Sequence, residues 1–182
     1  LTVMENKNLV SQVFEVVRKH EGFKSEPYLD HKKNWTIGIG TLIGTGKEAD
    51  LKASPYYKKS INEETAKNIA LGDINKKIDL SKRLLGPEKF DSFSPRLQAQ
   101  IVQGAYRGDI TGSPKTLQLL KQGNFKEASK EFLNSEEYRK SKQDKTGVAG
   151  RMEEIAAAIA EEKPKGFAES VEKRISQTNV LP

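Results

Sequence analysis

The chain has 182 residues, and its 31 Lys and Arg against 25 Asp and Glu give a formal net charge of +6. This length allows one sizeable core and is short for two average domains, while the absence of cysteine excludes disulfides and thiolate chemistry. No apolar run approaches the roughly 18 residues of a membrane span, and the positive charge favours an anionic partner without identifying it.

The first elements are predicted to be a helix and a β-hairpin. Val10, Phe14 and Val17 recur at helical spacing and predict a helix over 8–21, which Gly22 ends. The period then changes to strand-like alternation on both sides of a polar turn, His31 to Asn34. The stretch that follows, with Gly44, Gly46 and Pro55, is predicted to be irregular.

Helices are predicted for most of the remaining chain. Ser60 and Glu63 form a capping-box pattern before a long helix over about 61–86. Further helices are predicted to begin at the Ser-Pro pairs 94–95 and 113–114 and at Asn124, which is paired with Glu127 as a cap. An alanine-rich helix covers 148–163, and a short terminal helix is predicted around Phe167, Val171 and Ile175.

These elements predict a single domain of the α+β class, mainly helical. A small α/β lobe would cover about 20–60, a connecting helix 61–86, and a helical lobe 87–162 that the first helix joins, with an extension over 163–182. Because clefts form preferentially between such units, we expect the functional site where the lobes face each other.

Glu21 is an unusual residue for the end of this first helix. The apolar stripe predicts that its carboxylate points inward or along a cleft wall. Burial and the carbonyls of a helix C-terminus both disfavour the ionised carboxylate, and a carboxyl group that keeps its proton near neutral pH can act as a general acid. A frayed helix end with an exposed, ion-paired Glu21 is the alternative interpretation.

The hairpin places a second carboxylate near a sparsely covered strand face. Alternation along 35–40 predicts that Thr36, Gly38 and Gly40 share one face, where glycine would let a ligand approach the backbone. Asp30 lies across the turn, so its carboxylate and the Thr36 hydroxyl could hold a water molecule between them. The alternative is a glycine-rich hairpin in which Asp30 is an ordinary turn residue.

Glu21, Asp30 and Thr36 form the pattern E-x8-D-x5-T, and the neighbouring E-G, Y-x-D and T-I-G-I-G sequences complete it. This stretch closely resembles the T-even phage lysozymes of glycoside hydrolase family twenty-four. The resemblance implies a lysozyme-like two-lobe fold in which Glu21 is the general acid. It also implies that Asp30 and Thr36 hold and activate the attacking water.

The resemblance continues more weakly over about residues 8–162. It implies that Leu42 and Thr116 contact substrate, that Tyr106 lies on the far wall of the cleft, and that Arg151 pairs with the catalytic acid. An exposed arginine at a helix start is the alternative for Arg151. The supporting roles of Gly38 and Gly40 follow from the glycine-rich strand.

Three features depart from the family. Thr41 stands where the family usually has a histidine after T-I-G-I-G, so a histidine–carboxylate pair that stabilises relatives is expected to be absent. His31 lies in the turn and is expected to be exposed rather than catalytic. Residues 163–182 have no clear counterpart in the family and are a candidate docking segment for other virion proteins.

The resulting hypothesis is a muramidase that cleaves the β-1,4 bond between N-acetylmuramic acid and N-acetylglucosamine by an inverting attack of water. No cofactor or metal is expected, and the partner is peptidoglycan, with no nucleic acid and no membrane span. The isolated domain is expected to be monomeric. A lytic transglycosylase and a catalytically silent wall-binding or virion module are the alternatives.

Two cellular locations are expected for the protein, depending on which form of phage lysozyme it is. A free phage endolysin would pass from the host cytoplasm to the periplasm and wall, and a virion-borne lysozyme would be carried in the particle. No secretory signal is expected at the N-terminus. The chain opens with Leu1 rather than Met, which predicts a trimmed chain or a piece of a longer protein.

Overall fold

A computed structural model describes residues 2–164, which form three strands and nine helices. The strands are β1 (Lys24–Leu29), β2 (Trp35–Gly38) and β3 (Thr41–Gly44). The helices are α1 (Val3–Glu21), α2 (Glu48–Ala53), α3 (Glu63–Leu85), α4 (Pro87–Ser92), α5 (Pro95–Arg107), α6 (Pro114–Lys121), α7 (Phe125–Leu133), α8 (Glu136–Asp144) and α9 (Gly147–Ala160).

The first helix begins five residues before the predicted start at Asn8. Thr2 and Glu5 form a capping box in which the Thr2 hydroxyl accepts from the Glu5 N–H and the Glu5 carboxylate accepts from the Thr2 N–H. Phe14 and Val17 of the predicted apolar stripe are buried and Val10 is partly buried, and the helix ends at Gly22, whose φ of 67° favours glycine. The capping box therefore extends the helix beyond its apolar stripe.

The predicted hairpin is confirmed, and a third strand joins it. The sheet has the antiparallel order β1-β2-β3, with Leu29 opposite Trp35 across the turn and Thr36 opposite Leu42 on the other side. The third strand was not predicted, because Thr41 to Gly44 is too short to show alternation. The prediction that residues 44–55 are irregular was also wrong in part, since α2 lies within them.

The long helix α3 is confirmed, but its cap is not the predicted one. Asn62 caps it, with the side-chain oxygen accepting from the N–H of Thr65 at 2.8 Å, so the Ser60–Glu63 capping box was wrong. Ala66, near the start of α3, packs against Gly38 of the sheet. The same helix also packs against α4, α5 and α6, so it contacts both the sheet and the later helices.

The helices after α3 begin close to where the sequence predicts. The Ser-Pro starts at 94–95 and 113–114 are confirmed, whereas Asn124 precedes α7 without a side-chain cap bond. Helices α4 and α8 were missed. Only Ser141 is buried in α8, so this helix has no apolar stripe to reveal it.

Apolar residues of α1, α3 and the later helices form one buried cluster, which also contains Ile39 of the sheet. The protein is therefore a mainly helical α+β protein with a small antiparallel sheet. We propose that the sheet region, β1 to β3, and the helical region, α4 to α9, correspond to the predicted lobes.

No helix within residues 2–164 is long and apolar enough to cross a membrane. The terminal helix predicted around Phe167 lies outside the described residues.

Candidate active site

The Glu21 carboxyl group is packed against the sheet at the end of α1. Its side chain is 9% exposed. A Cβ atom added to Gly40 would lie 2.9 Å from the Glu21 carboxyl carbon, so any larger residue at this position would displace the acid. Gly40 also has a φ of +71°, which other residues rarely adopt. The apolar stripe thus directs Glu21 inward, and Gly40 makes room for it.

Arg107, the last residue of α5, is the ion-pair partner of Glu21. Its Nη1 atom lies 2.7 Å from Glu21 Oε2, and its side chain is 10% exposed. The guanidinium group attracts the ionised carboxylate and so opposes the effects of burial and of the helix end. Arg107 also lines the cleft described below, whereas Glu21 does not.

The resemblance implied that Arg151 would be this partner, and that prediction was wrong. Arg151 does not reach Glu21. Its Nε donates instead to Asp109 Oδ2 at 3.1 Å, in an ion pair whose two side chains are 6% and 0% exposed. Arg107 was missed because an arginine just before a helix-ending glycine is common on protein surfaces. There its positive charge interacts favourably with the helix dipole, so the position gives no sign of a buried partner.

Asp30 and Thr36 line one cleft of about 400 Å³ between the sheet region, α3 and the end of α5. Asp30 Oδ1 accepts from the backbone N–H groups of Lys32 and Asn34, each at 2.9 Å. The Thr36 hydroxyl donates to the Asn34 carbonyl at 3.1 Å, and its side chain is almost fully buried. The turn therefore holds both groups by hydrogen bonds.

The other cleft residues come from β3, α3, α5 and the connecting segments beside the sheet and after α5. The lining comprises Lys32, Asn34, Gly40, Leu42, Lys77, Leu80, Leu84, Ala105, Tyr106, Arg107, Gly108 and Thr111. Leu42 is exposed, as a substrate contact needs to be. The Tyr106 hydroxyl donates to the Ile39 carbonyl at 2.7 Å, which ties α5 to the loop that contains Gly40.

Two predicted site residues lie away from the cleft. Thr116 is fully buried in α6 beside the core residues Leu117 and Leu120, so it is not a substrate contact in this structure. Gly38 also differs from the prediction, because a Cβ at this position would meet Ala66 at 3.0 Å, on α3. The strand ends at Gly38, so the alternation that grouped it with Gly40 stops there.

Thr41, which replaces the family's usual histidine, is buried and pairs with a tyrosine instead. Its hydroxyl lies 3.4 Å from the Tyr106 hydroxyl. Burial raises the pKa of Tyr106, so this phenol stays neutral at physiological pH. Burial also raises the pKa of Tyr28, and the nearby negative charge of Glu21 adds to the effect.

His31 is exposed, as expected, and lies in the turn between Asp30 and Lys32. Partial burial lowers the pKa of its imidazole, and the positive charges of Arg107 and Arg151 lower it further. The ring is therefore neutral at pH 7. Within residues 2–164, no group of three or more His, Cys, Asp or Glu side chains is placed to hold a metal ion.

A buried acid beside a cleft that carries a second carboxylate and a hydroxyl can support glycoside hydrolysis. The phage lysozyme family model matches residues 18–154, which contain Glu21, Asp30, Thr36 and Arg107. No curated protein matches the chain. The match covers more than half of the 182 residues. The chain therefore belongs to the phage lysozyme family.

Proposed function

We propose that the protein is a muramidase that hydrolyses the β-1,4 bond between N-acetylmuramic acid and N-acetylglucosamine. Membership of the phage lysozyme family indicates a peptidoglycan hydrolase. The observation that carries the finer proposal is the contact of Glu21 with Gly40 and Arg107, which both line the same cleft as Asp30 and Thr36.

In the proposed reaction Glu21 protonates the glycosidic oxygen while water attacks the anomeric carbon from the opposite face. Asp30 accepts a proton from that water, and the Thr36 hydroxyl helps to orient it. An inverting reaction needs the two carboxyl groups roughly 6.5–9.5 Å apart. Arg107 would have to release Glu21 or share it with the substrate, since the acid must carry a proton when the bond breaks.

Lys77 and Arg107 give the cleft a positive character. The peptide stems attached to N-acetylmuramic acid carry carboxylates, so these cations support a peptidoglycan strand as the substrate. We also propose that the protein acts on the bacterial cell wall in phage infection, either as a free endolysin or as a virion-borne enzyme. Mass spectrometry of purified particles would separate these two forms.

The bond that is cleaved can be read from the new ends of the products. We expect digestion of purified peptidoglycan, followed by borohydride reduction, to give products that end in reduced N-acetylmuramic acid. Ends in reduced N-acetylglucosamine would show cleavage of the other bond. Ends in 1,6-anhydro-N-acetylmuramic acid would show a lytic transglycosylase, and no soluble product would indicate a silent binding module.

A further inference from the structure

Lys32, in the turn between β1 and β2, reaches from the sheet region to the helical region. Its Nζ atom lies 3.8 Å from Asp109 Oδ1 and 3.5 Å from Glu137 Oε1. It also donates to the backbone carbonyl of Arg107 at 3.4 Å. Three acceptors from two segments of the helical region, the end of α5 with the residues after it and the start of α8, therefore surround one ammonium group.

Two of these acceptors are stabilised by a nearby cation more than an ordinary surface group would be. The Asp109 side chain is fully buried, and its Oδ1 atom has no hydrogen-bond partner, because Arg151 occupies only Oδ2. The Arg107 carbonyl belongs to the last turn of α5, where carbonyls lack helical partners and attract positive charge. Exposed ion pairs contribute little to stability, but a pair with one buried partner is screened less.

Lys32 is tied to Asp30 on one side of the cleft. The Lys32 backbone N–H donates to Asp30 Oδ1, and the Lys33 N–H donates to the Asp30 carbonyl at 2.9 Å. Because these bonds close the turn, the positions of Asp30 and Lys32 depend on each other.

Lys32 is tied to Glu21 on the other side. The residue whose carbonyl it contacts, Arg107, holds the Glu21 carboxylate through its guanidinium group. A continuous set of contacts therefore runs from Asp30 through Lys32 and Arg107 to Glu21. This set crosses the cleft at the end where the turn meets α5.

We propose that Lys32 is a positioning residue that fixes the spacing between Asp30 and Glu21 across the cleft. The inference rests on the proposed function, because it assigns these two carboxyl groups to one reaction. Loss of the ammonium group frees the turn from the helical region and lets the two acids move apart. Small displacements of reacting groups are costly, since about 1 Å can lower a rate by 10²-fold.

The test compares Lys32→Met, Lys32→Arg and Lys33→Met on soluble peptidoglycan fragments. Lys33 is the matched control, an exposed lysine in the same turn. We expect Lys32→Met to lower kcat by about 10–100-fold with little change in KM, and Lys32→Arg to restore most of the rate. Lys33→Met should behave as the wild type, and all three variants should melt within a few degrees of it. Glu137→Gln should lower kcat by a smaller factor.

Three results would overturn the inference. The first is a Lys32→Met enzyme with wild-type kcat. The second is a rise in KM with kcat unchanged, which would make Lys32 a contact for substrate carboxylates. The third is a loss of kcat that Lys32→Arg does not rescue or that Lys33→Met shares. Failure of the proposed function would appear differently, as a wild-type protein that releases no reducing ends.

Discussion

Glu21→Gln is expected to abolish peptidoglycan hydrolysis, with a fall in kcat of at least about 10²–10⁴-fold. Glutamine keeps the shape of glutamate and fits the space against Gly40, but it has no proton to give to the leaving oxygen. The decrease should appear in kcat rather than in KM, because the acid acts in the transition state. Release of reducing ends from purified peptidoglycan measures it directly.

The same substitution should lower the free energy of unfolding by about 1–3 kcal/mol, because Arg107 loses a charged hydrogen-bond partner. Without Arg107 the opposite sign would be expected, since the helix end and the apolar stripe disfavour a charged Glu21. Glu26→Gln is the control, as Glu26 is an exposed glutamate in β1. An active Glu21→Gln enzyme would refute the catalytic role. An inactive variant that does not fold would instead make Glu21 a structural residue.

Arg151→Leu is expected to lower the free energy of unfolding by about 3–5 kcal/mol. The substitution leaves the Asp109 carboxylate buried without its close partner, and only Lys32 remains nearby at 3.8 Å. Denaturant unfolding at 25 °C measures the loss. Below its melting temperature the variant should keep a kcat within a few fold of wild type, because Arg151 does not contact Glu21.

Arg139→Leu is the control for this prediction, since Arg139 is an exposed arginine in α8 and its loss should change stability by less than about 0.5 kcal/mol. Adding Asp109→Asn to Arg151→Leu should recover part of the stability, because the unpaired buried charge is then removed. A folded Arg151→Leu enzyme with the kinetic defect of Glu21→Gln would contradict the assignment of Arg107 as the partner of the acid.

Local patterns in the sequence were enough to predict the hairpin, the long helix and the inward direction of Glu21. In each case a repeating apolar spacing or a turn signal lies within about 20 residues. The Ser-Pro starts of α5 and α6 were predictable for the same reason, because proline is favoured in the first turn. Contacts between distant segments have no such local signal.

The arginine partner of Glu21 shows this limit. Arg107 and Arg151 each lie near a helix end, and only the packing of α5 against α1 decides which of them meets the acid. Thr116 was misplaced for a related reason. It lies in a segment that resembles the family, but in the first turn of α6 its side chain is buried in the core. Gly38 was misplaced because its φ of 67° departs from the extended backbone on which strand alternation depends.

The anomeric configuration of the first product tests the central claim most directly. A solution NMR spectrum recorded while the wild-type enzyme cleaves a soluble peptidoglycan fragment shows the new reducing end before it equilibrates. Water attack assisted by Asp30, with Glu21 as the acid, predicts an α-anomer of N-acetylmuramic acid, because the β bond is inverted in a single displacement. A β-anomer as the first product, or an anhydro end with no anomeric hydroxyl, would contradict the account.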